Sequence, residues 1–200
     1  ELGREIPEGW EVNRLVEIVP ILLGGTPDTK NSNYWANGNI NWLSSGEIAN
    51  FPVLSAGAKI NQEAIDNSAT VLLKTGSVAL SITRYIRPTI LGIDACINQS
   101  VVGIEESELY KHSFLYPFIE SQVSKYMGLR TGAMQPHINK AKVEETLIIC
   151  PSYRVLHEYY KNVDIIFAQI MTIARESLEL AQLRDFLLPL LMNGQVSVCE

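Results

Sequence analysis

The sequence predicts an α+β fold: a curled mixed sheet or partial barrel over residues 1–150, then one long C-terminal coiled-coil helix and tail over residues 151–200. Three features carry that expectation. Short apolar and β-branched runs separated by turn residues fill the chain up to Pro151, only one long helical pattern lies among them, and the stretch beyond Pro151 repeats its apolar residues in steps of three and four. The runs do not alternate with helices, so a doubly wound parallel sheet is a poor fit.

Taken in chain order, the strand-forming runs are residues 40–43, 71–73, 77–82, 89–93, 100–104 and 147–150, bounded by Gly, Pro, Asn and Asp. Residues 114–129 carry the helical spacing. Ser152 is a helix-capping residue, and no Gly or Pro follows Pro151 until Pro189 and Gly194. Along that stretch Leu156, Tyr159, Val163, Ile166, Ile170, Ile173, Leu180 and Leu187 form a seam, with Ser177 and Arg184 as its two imperfect positions. A helix of this length reaches roughly 50–55 Å, more than a domain of this size needs to cover its own core. A projecting arm that packs on another helix follows; the alternative is a long amphipathic helix lying back on its own sheet.

Composition places the chain among ordinary globular proteins, with 46% hydrophobic and 19% charged residues. No apolar run approaches the roughly 20 residues of a membrane span, and the opening Glu1-Leu2-Gly3-Arg4 lacks the order of a signal peptide. The expectation is a cytoplasmic protein with no membrane partner. Cys96, Cys150 and Cys199 are odd in number and widely spaced, which suits reduced structural thiols rather than zinc or disulfides. A net charge of -6 speaks against nucleic acid, yet the acid sits at the ends. Residues 1–28 hold two basic and six acidic groups, residues 29–151 ten of each, and residues 152–200 four and six. Two basic stretches survive in the neutral middle: Lys74, Arg84 and Arg87 without an acid between 74 and 93, and Lys111, Lys125, Arg130, Lys140 and Lys142 against Glu120 alone between 110 and 142.

The strongest local signature is Gly24-Gly25-Thr26-Pro27-Asp28-Thr29-Lys30-Asn31-Ser32-Asn33-Tyr34-Trp35, followed by Gly38 and by residues 40–48, Ser45 among them. The paired glycines permit close backbone approach and Pro27 fixes a turn. Lys30, Asn31, Asn33 and Tyr34 can donate to phosphates or base edges. Catalytic constellations are missing. His112, His137 and His157 lack metalloprotease spacing, there is no phosphate-binding or dinucleotide loop, and no Asn-Pro-Pro-Tyr-like methyltransferase loop. No catalytic residue, metal or cofactor is expected. A small hydrolase using Glu47 or Asp94 with His137 is the enzyme alternative.

This order of segments, preceded by Ile6-Pro7-Glu8-Gly9-Trp10 and Leu15, resembles the target-recognition domain of type I restriction-modification specificity subunits. The resemblance continues through Lys74-Thr75-Gly76 and its strand, Ile97-Asn98-Gln99-Ser100, and residues 131–138, and it closes on Leu183-Arg184-Asp185-Phe186-Leu187-Leu188-Pro189. It implies an α+β domain that binds double-stranded DNA and a spacer helix that pairs antiparallel with a second such unit, from a second copy or from the other half of a longer subunit. It further implies methyltransferase and restriction subunits as partners, with no catalysis in this chain. Within that reading Lys30, Asn31, Asn33, Tyr34, Ser45, Thr83, Arg84, Tyr85, Arg87, Gln135 and His137 are the candidate DNA contacts. Arg84 can take guanine in a bidentate contact, Tyr85 can pack on sugar or a thymine methyl, and Arg87 can hold phosphate. The bland alternatives are a surface ion pair for the arginines, a core place for Tyr85, and a capped helix near Asn139 for the segment of Gln135 and His137. A coiled-coil adaptor whose head binds protein is the competing function.

Overall fold

The computed structural model of the chain describes residues 5–132 and 137–195. Strand β1 (Glu11–Arg14) runs into a helical turn, α1 (Leu15–Ile18), whose entry is fixed by Glu17 accepting the Arg14 N–H at 2.7 Å. Next come β2 (Ile21–Leu23), α2 (Ser32–Trp35), β3 (Ile40–Leu43), a 3-10 turn at Glu47–Ala49, β4 (Ala58–Ile60) and α3 (Gln62–Asp66). The chain continues through β5 (Val71–Leu73), β6 (Val78–Ser81), β7 (Arg87–Ile90), β8 (Ala95–Ile97) and β9 (Val101–Ile104). It then forms α4 (His112–Gly128), α5 (Lys140–Glu144), β10 (Leu147–Cys150) and α6 (Tyr153–Met192).

The strands make two four-stranded sheets and a two-stranded ribbon, and no closed barrel forms among the described residues. One sheet, ordered β2-β9-β6-β7, is antiparallel throughout; the other, β4-β3-β8-β5, is mixed because β3 and β8 run parallel. β1 pairs with β10. Central strands are buried on both faces, and their period of two divides the core. Val78 and Leu80 of β6 face a cluster with Leu115, Ile119 and Tyr126 of α4, while Ala79 faces a cluster with Leu43, Leu73 and Ile97 of the mixed sheet. β9 repeats the division, with Val102 and Ile104 on the first side and Val101 on the second.

The expected strands at 40–43, 71–73 and 147–150 appear with those bounds, and the runs at 77–82 and 100–104 are trimmed at their ends. The run at 89–93 shifts: β7 starts at Arg87 and stops at Ile90, because the Gly92 N–H is drawn to the Val53 carbonyl at 2.8 Å. Strands β1, β2, β4 and β8 were not expected from the sequence. They are three or four residues long, too short to show a period, and depend on partners distant in the chain. The helix expected at 114–129 is α4, which starts two residues earlier and ends one residue earlier.

Helix α6 has 40 residues and is therefore about 60 Å long. It passes through Pro189, where one intrahelical bond is forfeited, and stops in a Schellman motif. There Gly194 has φ +68°, its N–H bonds Leu191 O at 3.1 Å, and the Gln195 N–H reaches Leu190 O at 2.9 Å. One stripe of the helix lies on the head. Leu156 and Phe167 are buried, Tyr159 donates to the Ser113 carbonyl at 2.8 Å, and Tyr160 donates to the Leu109 carbonyl at 2.9 Å. Asp164 joins Lys111 at 2.6 Å and accepts from the Ser113 hydroxyl at 2.6 Å. Further along, Ala174 and Leu178 share a cleft with Phe51 and Leu54 of the head.

This arrangement takes Leu156 out of the seam, since it is fully buried in the chain's own core. Tyr159 is half-buried, with its hydroxyl tied to α4. Val163, Ile170 and Leu187 are half-buried, whereas Ile166, Ile173 and Leu180 are exposed at 53%, 61% and 65%. The far end adds Leu183, Phe186, Leu188 and Met192 to the exposed apolar surface.

Candidate nucleic-acid interface

Strands β6 and β7 pair down to Ser81 and Arg87, leaving residues 82–86 as the hairpin tip. Ile82 and Ile86 are buried, which anchors the tip from beneath and turns Thr83, Arg84 and Tyr85 outward. Arg84 adopts φ +56°, and the Tyr85 N–H closes on the Thr83 carbonyl at 2.6 Å. Tyr85 is 56% exposed, with the Arg84 and Arg87 guanidinium carbons 5.6 and 5.2 Å from its ring centroid. Each cation is attracted by the ring, so the three side chains form one small platform. Among the described residues no carboxylate pairs with Arg84 or Arg87. Tyr85 is not a core residue, and neither arginine is spent on an ion pair there.

The platform borders a cleft of about 350 Å³ that also takes in Ser45, Gly46, Ala49, Ser81 and Thr83. Glu47 shapes its second wall: one carboxylate oxygen accepts the Ser44 N–H at 2.8 Å and hydroxyl at 3.0 Å, the other the Gly57 N–H at 2.7 Å. The chain after α4 bonds to the hairpin tip beside the cleft without lining it. Arg130 donates from Nε to Met127 O at 3.0 Å and from Nη1 to Arg84 O at 3.2 Å. His137, which is exposed, pairs through its backbone with Thr131 and bridges to Thr83, and the Ile138 N–H bonds Ile82 O at 3.0 Å. Gln135 lies outside the described residues. Asn139 caps α5 by accepting the Lys142 N–H at 3.2 Å. Ser45, Thr83, Arg84, Tyr85, Arg87 and His137 thus come together from three separate segments.

Lys30, Asn31, Asn33 and Tyr34 do not line this cleft. They precede β3, whereas Ser45 follows it; Asn33 and Tyr34 sit on α2, which packs against α3 and β4, while Asn31 is its N-cap and Lys30 precedes it. Asn31 caps α2 through the Asn33 N–H at 3.2 Å, the Asn33 carbonyl accepts from Asn61 at 2.8 Å, and Tyr34 packs beside Trp35 and Trp42. The loop before them is scaffold. A Cβ on Gly25 would lie 2.6 Å from the Ala69 carbonyl carbon, and one on Gly24 2.6 Å from that of Ile97. Thr26 donates to the Gln99 side chain, Trp42 to Gly25 O at 3.2 Å and Trp35 to Asp28 O at 3.1 Å. The two signature segments, 24–35 and 97–100, therefore fasten to each other. Lys30 and Asn33 remain exposed.

The acids considered for hydrolysis serve turns. Glu47 is committed as described, and Asp94 accepts from Lys74 at 2.8 Å and from the Thr75 N–H at 2.8 Å, bonds that hold its carboxyl down at about 2. Burial pushes the Cys96 thiol up to about 11. Among the described residues no three His, Cys, Asp or Glu side chains are grouped to hold a metal, and no helix is long and apolar enough to cross a membrane. A larger cavity, about 580 Å³, shares no lining residue with the basic cleft and is lined in part by Trp10, Phe114, Phe118, Ile149 and Val155. Arg130 was visible in sequence only as one cation of a basic stretch. Its bond to Arg84 depends on topology, since 46 residues separate the two.

Residues 7–182 match the type I restriction modification DNA specificity domain family. The specificity subunit of the type I restriction enzyme MjaIX from Methanocaldococcus jannaschii is 24% identical over 205 residues, covering 100% of this chain and 47% of its own length. That of HindI from Haemophilus influenzae is 22% identical over 202 residues, covering 96% of this chain and 42% of its own. The chain thus spans about half the length of these relatives, or less. The crystal structure of the HsdS subunit from Thermoanaerobacter tengcongensis superposes with a TM-score of 0.65 at 17% identity, over 98% of this chain and 47% of that one.

Proposed function

The chain belongs to the family of type I restriction modification DNA specificity domains, and from that premise we propose that its head reads the sequence of double-stranded DNA for a type I restriction-modification complex. The observation that carries the proposal is the hairpin-tip platform: two guanidiniums without carboxylate partners among the described residues, set on an exposed tyrosine at the mouth of a cleft. An overall acidic chain gains little by leaving two cations so arranged unless an anion meets them. Arg84 is the candidate for a guanine edge, Tyr85 for sugar or a thymine methyl, and Arg87 for phosphate. Ser45 and Thr83 add donors at the cleft, and His137, bridged to Thr83, adds one beside it, with Gln135 two residues before His137 in sequence. Lys30, Asn31, Asn33 and Tyr34 form a second, separate candidate contact.

The head selects DNA without transforming it. Methyl transfer and cleavage fall to methyltransferase and restriction subunits in the cytoplasm, which the chain directs to one half of a bipartite target. Helix α6 supplies the spacing by pairing antiparallel with the helix of a second unit, a second copy or the other half of a longer subunit. Support comes from Ile166, Ile173 and Leu180, which stay exposed beside the stripe that the head covers.

Fluorescence anisotropy of the chain on labelled duplexes at rising salt tests the reading. The affinity should fall linearly with salt on logarithmic axes, with a slope set by several phosphate contacts. Absence of DNA binding at low salt, together with capture of a protein partner, would favour the adaptor instead.

A further inference from the structure

We propose that Arg130 is a positioning residue for sequence reading: it locks the turn at the hairpin tip and so fixes where Arg84 points. The proposal rests on the DNA-reading role of the head. The turn needs a lock because Arg84 sits at φ +56°, a region that side chains with a Cβ rarely occupy, and because Thr83 and Tyr85 close over only three residues. No glycine relieves it between Ile82 and Ile86. Backbone of this kind persists where its surroundings over-determine it.

Arg130 supplies that determination at the residue concerned. Its Nη1 donates to the carbonyl of Arg84 itself at 3.2 Å, while its Nε donates to Met127 O at 3.0 Å in the last turn of α4. One planar fork thus ties the hairpin tip to a helix end, setting both distance and angle in a way a lysine ammonium cannot. The helix end is firm: the neighbouring Tyr126 is fully buried and its hydroxyl bonds Thr146 at 2.7 Å. The Ile138 N–H holds the other flank of the turn through Ile82. Without the fork, Arg84 returns to ordinary backbone angles and the platform on Tyr85 disperses. The charges of Arg84 and Arg87 survive that change, so attraction to phosphate persists while base discrimination is lost.

The test uses the full chain with Arg130→Lys and Arg130→Met. Duplexes that the wild-type chain enriches from a randomised pool are compared with unrelated duplexes across salt, and amide hydrogen exchange is followed at Tyr85. Both variants should keep the wild-type circular dichroism spectrum, lose selectivity by about tenfold, within the reach of one base contact, and exchange the Tyr85 amide faster. Arg130→Lys should retain the wild-type affinity and salt slope on unrelated DNA. Full selectivity in Arg130→Lys overturns the proposal, since charge alone would then suffice. A uniform loss on all sequences in Arg130→Met, with the slope reduced by one contact, also overturns it by making Arg130 a phosphate ligand. Unfolding of both variants does the same, by assigning Arg130 to the fold. A wild-type chain that enriches no sequence removes the DNA-reading role itself and this proposal with it; selective variants remove only the latter.

Discussion

At the scale of single residues, the arginines on either side of Tyr85 should behave differently. Arg84→Ala should cost roughly 1–3 kcal/mol on the preferred duplex and relax the preference at one base position, whereas Arg87→Ala should weaken all duplexes alike and lower the salt slope by about one. Competition binding with single-base variants separates the two; equal behaviour of both variants would contradict the assigned roles. The glycines of the signature loop act through packing. Gly25→Ala places a methyl 2.6 Å from backbone at Ala69, so urea unfolding should show a loss of about 1–3 kcal/mol. An unchanged midpoint would mean that the loop moves aside freely. In sequence the two kinds of residue were hard to separate. Arg84, Tyr85 and Arg87 were legible because a basic, acid-free stretch is local, but Gly24 and Gly25 meet backbone from residues 69–70 and 97–98, which no local pattern announces.

At the scale of elements, α6 carries two apolar stripes side by side. The stripe of Leu156, Tyr160, Phe167 and Leu178 lies on the head, and the one through Ile166, Ile173 and Leu180 stays outside. Steps of three and four found the second stripe and merged its beginning with the first, because neighbouring stripes differ by one residue in a helix of 3.6 residues per turn. Ile173→Asp should leave the thermal unfolding of a single chain nearly unchanged, as befits a side chain 61% exposed. In an antiparallel pair it should weaken association by several kcal/mol, read by sedimentation over a range of concentrations. A wild-type chain that stays monomeric at high concentration would remove the homodimeric form of the pairing.

The docked stripe makes a separate prediction about pH. Burial pushes the Asp164 carboxyl up, but hydrogen bonds from Lys111 and Ser113 outweigh it and hold the group below its ordinary 3.8. A depressed folded value means that the contribution is fully present above the unfolded value and is lost as pH falls through the folded one. The melting temperature of the wild-type chain should therefore drop more steeply below about pH 4 than that of Asp164→Asn. Parallel curves would show that this contact does not hold the helix to the head.

At the scale of the whole molecule, the α+β class and the long final helix were legible because they rest on segments with clear periods. The sheet order was not. β1, β2, β4 and β8 are three- or four-residue strands whose identity comes from partners such as β10 and β9, and the parallel pairing of β3 with β8 joins residues more than fifty positions apart. That pairing helps to place Ser45 opposite the hairpin tip, so the cleft is a product of topology rather than of any motif. The central claim, that this assembled head reads DNA sequence, is tested most directly by selection of duplexes from a randomised pool with the full chain. Enriched sequences should share one short specified block, and each base change within it should cost about 1–3 kcal/mol while changes outside it cost nothing measurable. Binding with equal affinity to every duplex in the pool would contradict the account.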